Sequence, residues 1–248
     1  MFGPRKILLQ DIGIHTLWAL IAGFIGSLLT LLIIFITSSF LDIPQTFYQE
    51  NLGSERNPLF PFALSFITFI GTLSSIFLLS RLFSMTDPER YKRSSIVSWQ
   101  LAFFGIITYI CITPIYMYTW MIHYENIMLV FIIHCLILAF GSSLLLEILN
   151  NHSSILISFY ACFLWVFFTT ILWIVFFNTF ESGYAKLISL LFLLPLILTS
   201  VTFLKWIFEF LYYQYYTWSN HDPLGDIFYQ IERREQEEIL EQTQKNTL

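Results

Sequence analysis

RLFSMTDPERYKR, residues 81–93, sets Arg81, Arg90, Lys92 and Arg93 between two long apolar runs. A short loop this rich in Lys and Arg is retained on the cytoplasmic face of a membrane, so it fixes how the neighbouring runs must be threaded. The flanking runs are Leu59 to Ser80 and Ile96 to Tyr118. Further out lie Ile14 to Ser38, Ile127 to Leu149, Ile155 to Asn178 and Tyr184 to Phe208. Each is long enough to cross a hydrocarbon core of about 30 Å at about 1.5 Å of rise per residue. The expected fold is all-α: a polytopic membrane protein with a bundle of about six transmembrane helices over residues 14–218. A cytoplasmic or interfacial segment, 1–13, precedes it, and an acidic cytoplasmic tail, 219–248, follows.

Composition points the same way. Of 248 residues 56% are hydrophobic and only 12% charged, whereas a soluble domain carries about 25% charged residues. The runs are apolar at nearly every position, which disfavours an outer-membrane barrel, whose strands alternate polar and apolar residues. Cations are distributed unevenly across the threaded chain. Arg5, Lys6, the four of the 81–93 loop, Lys205, Arg233, Arg234 and Lys245 fall on one side, against Arg56 and Lys186 on the other. Both termini are therefore expected in the cytoplasm, and the placement expected is the plasma (inner) membrane of a bacterium. With its cations committed to topology, the chain has no basic stripe for nucleic acid. Cys111, Cys135 and Cys162 all lie inside apolar runs without paired spacing, so neither a disulfide framework nor a structural zinc site is expected.

The apolar run behind Arg5 and Lys6 is too long for a signal peptide and lacks a small-residue cleavage site, so it reads as an uncleaved first helix. Its small residues form two rows, Ala19, Gly23, Ser27 and Ala22, Gly26, Thr30, each at a spacing of four. Such rows let helix backbones approach closely, which predicts a central place for this helix. In the 81–93 loop, Thr86, Asp87, Pro88 and Glu89 predict a turn entering a short helix. Pro114 and Pro195 predict kinks.

Ionisable groups at membrane depth are the candidates for chemistry. His134 lies about 10 Å below the outer end of its span, and Cys111 and Cys135 share that depth on adjacent antiparallel spans. The three form a candidate polar layer, one ligand short of a usual zinc set; a hydrogen-bonded histidine beside two small core thiols is the plainer reading. Glu147 near the inner end of the fourth span reads as a snorkelling carboxylate, with a proton or cation relay as the functional alternative. Lys205 and Glu209, one helical turn apart, read as an interfacial pair in the weaker i,i+4 orientation. Gly141, Ser142, Ser143 and Leu144 superficially resemble the serine motif of rhomboid proteases. The final glycine is absent, however, and the last span carries no partner histidine. No H-E-x-x-H motif is present. No cofactor or metal is expected.

The tail supplies the most partner-like feature. After Asp226, a candidate N-cap, Ile227, Phe228, Ile231, Ile239 and Leu240 recur near helical spacing among five glutamates. An acidic amphipathic helix over residues 224–241 is repelled by anionic lipid and fits a protein surface instead. The expected function is a non-enzymatic scaffold or subunit of a membrane complex. The alternative is a small-solute or lipid permease, which gains no support from matching breaks in two halves, since Pro114 is near the end of its span and Pro195 midway.

Overall fold

The computed structural model describes residues 6–41, 59–91, 94–122, 126–150 and 183–221. Five helices are present there: α1 (Leu9–Leu41), α2 (Leu59–Thr86), α3 (Ser94–Ile122), α4 (Ile127–Asn150) and α5 (Gly183–Ser219). All five are long and apolar enough to cross a membrane, and no strand occurs among the described residues. The expected span 155–178 and the tail from residue 222 onward, including the 224–241 segment, lie outside the described residues, as do Lys92 and Arg93.

The helices overrun their expected limits: α2 carries on through Arg81 to Thr86, into the expected loop, α3 spans Ser94–Ile122, and α1 and α5 extend for local reasons. At the start of α1, the Leu8 N–H donates to Asp11 Oδ2 at 2.8 Å, capping the first turn, so the helix begins before Ile14. Ile7 and Ile12 leave the interfacial role expected of the first segment and bury against Trp206 and Phe210. At the other end α5 continues to Ser219, because no glycine or proline interrupts its Tyr- and Trp-rich end. It stops at Asn220, whose φ of 52° is the left-handed conformation that Asn tolerates at a helix C-terminus. Both α3 and α5 continue through their prolines, Pro114 and Pro195.

The helices close into a ring in which α1 packs on α5 and α2, α2 on α3, α3 on α4 and α4 on α5, with α2 also touching α4 across the middle. Direction follows from which residues meet. His15 stacks on Trp206 and Phe24 meets Phe192, so α1 and α5 are antiparallel. The Gly26–Ser75 approach makes α1 and α2 antiparallel, the Phe60–Trp120 stack does so for α2 and α3, and the Tyr116–His134 contact for α3 and α4. It follows that α4 and α5 run the same way.

The small-residue rows of α1 are the reason it packs so tightly. Ala19 and Ala22 are wholly buried, and a Cβ on Gly23 would stand 2.6 Å from the Pro195 nitrogen and 3.0 Å from the Leu194 carbonyl carbon. Gly26 and Gly71 receive Ser75 and Thr30 in a reciprocal crossing of α1 over α2. The central place, however, belongs to α2 and α4 rather than to α1, whose outer side, with Leu28, Leu32, Phe35 and Ile36, is exposed. The outer surface of α3 is also apolar, through Trp99, Phe103, Ile110 and Met121. A surface of this kind suits lipid rather than water.

Candidate functional site

A buried group of charged and aromatic side chains joins the turn after α2 to α1 and α5. Its position is set locally: Asp87 accepts from the Arg90 N–H at 3.2 Å, and the Tyr91 N–H closes on the Asp87 carbonyl at 3.1 Å. Pro88 occupies the first position of that turn, where its missing N–H costs nothing, as the sequence predicts. The turn swings Arg90 and Tyr91 back under the bundle.

There the Arg90 guanidinium meets the Glu209 carboxylate with both terminal nitrogens, Nη1 to Oε2 at 2.8 Å and Nη2 to Oε1 at 2.6 Å. Each residue is only 7% exposed, which makes this a desolvated bidentate pair rather than a surface one. Lys205 Nζ lies 3.7 Å from the same Oε1 and donates to the Tyr91 hydroxyl at 3.5 Å. Trp206 forms the floor, its ring 4.7 Å from Arg90 Cζ and 5.0 Å from Lys205 Nζ, so both cations face the negative side of one indole. His15 stacks on Trp206 at 3.9 Å between ring centroids and meets Phe83 edge-on at 4.9 Å. The His15 Nδ1–H donates to the Asp11 carbonyl at 2.8 Å, fixing its ring across α1.

This group adds to one expectation and revises another. Arg90, expected as one of the cations that fix topology, is also buried in an ion pair, whereas Arg81 is exposed. Lys205 and Glu209 do pair, but not at a helix end: α5 runs on to Ser219, and Arg90, not Lys205, makes the closer contact with the carboxylate. Nothing in sequence spacing links residues 90 and 209. The only signal was chemical, two ionisable residues in an otherwise apolar span.

The second expected group is divided. His134 and Cys135 are buried in α4, but Cys111 is exposed on α3. The buried face of α3 runs through Leu101, Thr108, Ile112, Tyr116 and Trp120, and position 111 lies off it. His134 instead has Tyr116, whose hydroxyl lies 3.3 Å from Nδ1 in a hydrogen bond whose donor is set by the imidazole tautomer. Cys135 turns to another surface, towards Thr72, Ser27 and Leu194. Glu147 sits in the last turn of α4. Among the described residues no three His, Cys, Asp or Glu side chains gather as a metal ion would need.

No known family, curated protein or solved structure matches this chain. Its chemistry must be read from its own geometry. Among the described residues, the Arg90, Lys205 and Glu209 side chains meet one another, Trp206 and Tyr91. Their arrangement ties three segments together.

Proposed function

We propose that the protein is a six-span integral membrane protein serving as a non-enzymatic scaffold or subunit of a membrane complex, in a bacterial plasma membrane with both termini cytoplasmic. The observation that carries the functional reading is how little room the described helices leave at one point of their shared interior. The void bordered by Ser27, Thr72, Phe131, Cys135 and Leu194 is about 10 Å³, against the hundreds of Å³ that a solute site occupies. The buried ionic group favours the same reading, since its charges join the turn after α2 to α5, with α1 stacked on it through His15.

The sixth crossing is supported by helix direction. Because α4 and α5 run the same way, the chain between Asn150 and Gly183 has to return over the height of the bundle before α5 begins. The apolar run Ile155 to Asn178 is suited to that return. The orientation rests on the 81–93 cations and the uneven distribution of the others.

A lipid permease is the second reading, favoured by an apolar groove of about 570 Å³ between α1 and α5, lined by Leu20, Phe24, Phe192, Pro195 and Phe203. Affinity purification in mild detergent separates the two. The scaffold reading expects a companion protein that is retained by the full chain and lost when residues after Asp222 are removed. Lipid or solute movement by the purified chain alone in proteoliposomes decides for the permease.

A further inference from the structure

A row of hydroxyls runs along the buried face of α2 at alternating spacings of three and four, Ser65, Thr68, Thr72 and Ser75, of which Thr68 and Thr72 lie with Ser27 and Thr30 of α1. In an apolar interior a helical hydroxyl ordinarily satisfies itself on the carbonyl one turn back. Four of these do so: Thr30 donates to the Gly26 carbonyl at 2.8 Å, Thr68 to Leu64 at 2.7 Å, Ser75 to Gly71 at 3.2 Å, and Ser65 to Phe62 at 2.9 Å. Ser27 and Thr72 do not. Each is 1% exposed, and neither Oγ nor Oγ1 has a well-formed hydrogen bond; only the weakly bonding Cys135 thiol stands beside Thr72.

These two residues border the same small void. It is closed by Leu31 and Phe131 and by Leu193 and Leu194, and it is also lined by Thr30, Thr68 and Cys135. Its volume of about 10 Å³ matches the space one water needs, roughly 10–15 Å³ on this measure. A water also needs two to four polar partners. Ser27 and Thr72 can donate to it, while Thr30 and Thr68, which use their protons on carbonyls, keep lone pairs that can accept from it.

We infer that this void is a binding site for a single structural water that joins α1 to α2 beside α4 and α5, held by the Ser27 and Thr72 hydroxyls. An apolar occupant would leave both hydroxyls unsatisfied, and a cation would find no carboxylate there. Water satisfies both hydroxyls, because it donates and accepts at one point.

X-ray radiolysis in H₂¹⁸O tests the site, since a bound water generates a hydroxyl radical that oxidises the side chains touching it. The protein is used full-length in lipid nanodiscs. Phe131, beside the void, is compared with Phe60, which is equally buried but packed on Trp120. The expected result is several-fold more ¹⁸O-labelled oxidation at Phe131 than at Phe60, falling to the Phe60 level in Ser27→Ala/Thr72→Val. Equal oxidation of the two phenylalanines in the unaltered protein overturns the site. Excess oxidation that survives the double substitution overturns its assignment to these hydroxyls. Should the double variant fail to fold, the shape-preserving Thr72→Val alone makes the second comparison.

Discussion

The Arg90 guanidinium holds Glu209 through two parallel hydrogen bonds across 119 positions of sequence, fastening the turn after α2 to the last third of α5. Burying charges is costly, so the group contributes little relative to well-packed apolar side chains, yet removing one member leaves the rest poorly compensated. Glu209 is the carboxylate shared by Arg90 and by Lys205, 3.7 Å away. Glu209→Gln is therefore expected to lower stability by about 3–5 kcal/mol, and Arg90→Ala by less, since Lys205 still faces the carboxylate. Replacing all three by apolar residues of similar volume, Arg90→Met, Lys205→Met and Glu209→Leu, is expected to recover most of the Glu209→Gln loss. Thermal unfolding in detergent measures each. If the triple replacement is no better than Glu209→Gln, the uncompensated-charge account is wrong.

Two glycines of α1 make a contrasting pair. A Cβ on Gly13 meets nothing within 4 Å, so Gly13→Ala is expected to stabilise, by up to about 1 kcal/mol of helix propensity. At Gly23 the same Cβ runs into the Pro195 backbone, which has no flexible end to move aside. Gly23→Ala is expected to destabilise by about 1–3 kcal/mol despite the same gain in propensity. Unfolding midpoints of the two variants, measured side by side, check the α1–α5 crossing.

The two described cysteines are expected to differ in reactivity. Cys111 is exposed and Cys135 is 2% exposed, so a small apolar maleimide in detergent should modify Cys111 in the folded protein and reach Cys135 only after unfolding. Tyr116→Phe leaves this pattern intact but removes the His134 hydrogen bond, at a cost of about 1–3 kcal/mol for the unsatisfied imidazole. Equal protection of both thiols would contradict the placement of Cys111.

How much of this was legible in the sequence depended on whether the information was local. The apolar runs, the small-residue rows at Ala19 to Thr30 and the Asp87 turn depend on neighbours within a helical turn or two, and the sequence spelled them out. The Gly23–Pro195 crossing, the Arg90–Glu209 pair and the Tyr116–His134 contact depend on which helices adjoin. Cys111 was misgrouped with His134 for that reason: depth along a span can be counted, but which way a residue faces around the helix is decided by packing. Arg90 was read only as one of the loop cations that set topology, and its pairing with Glu209 could not be seen from its neighbours in the chain.

Threading has its own test. In a chain cleared of its natural cysteines, single replacements at Ser54, Glu125 and Ser182 are expected to react with an impermeant maleimide from outside. Replacements at Ser84, Asn151 and Thr243 are expected to react only after permeabilisation. Asn151 and Ser182 bracket the proposed sixth crossing, and labelling of both from the same side would rule out one passage between α4 and α5.

Native mass spectrometry of the particle released from its own membrane in mild detergent tests the scaffold reading most directly. The account predicts a mass containing this chain together with at least one companion protein of different sequence, in fixed ratio. A particle holding this chain alone, or only whole multiples of it, would contradict that reading.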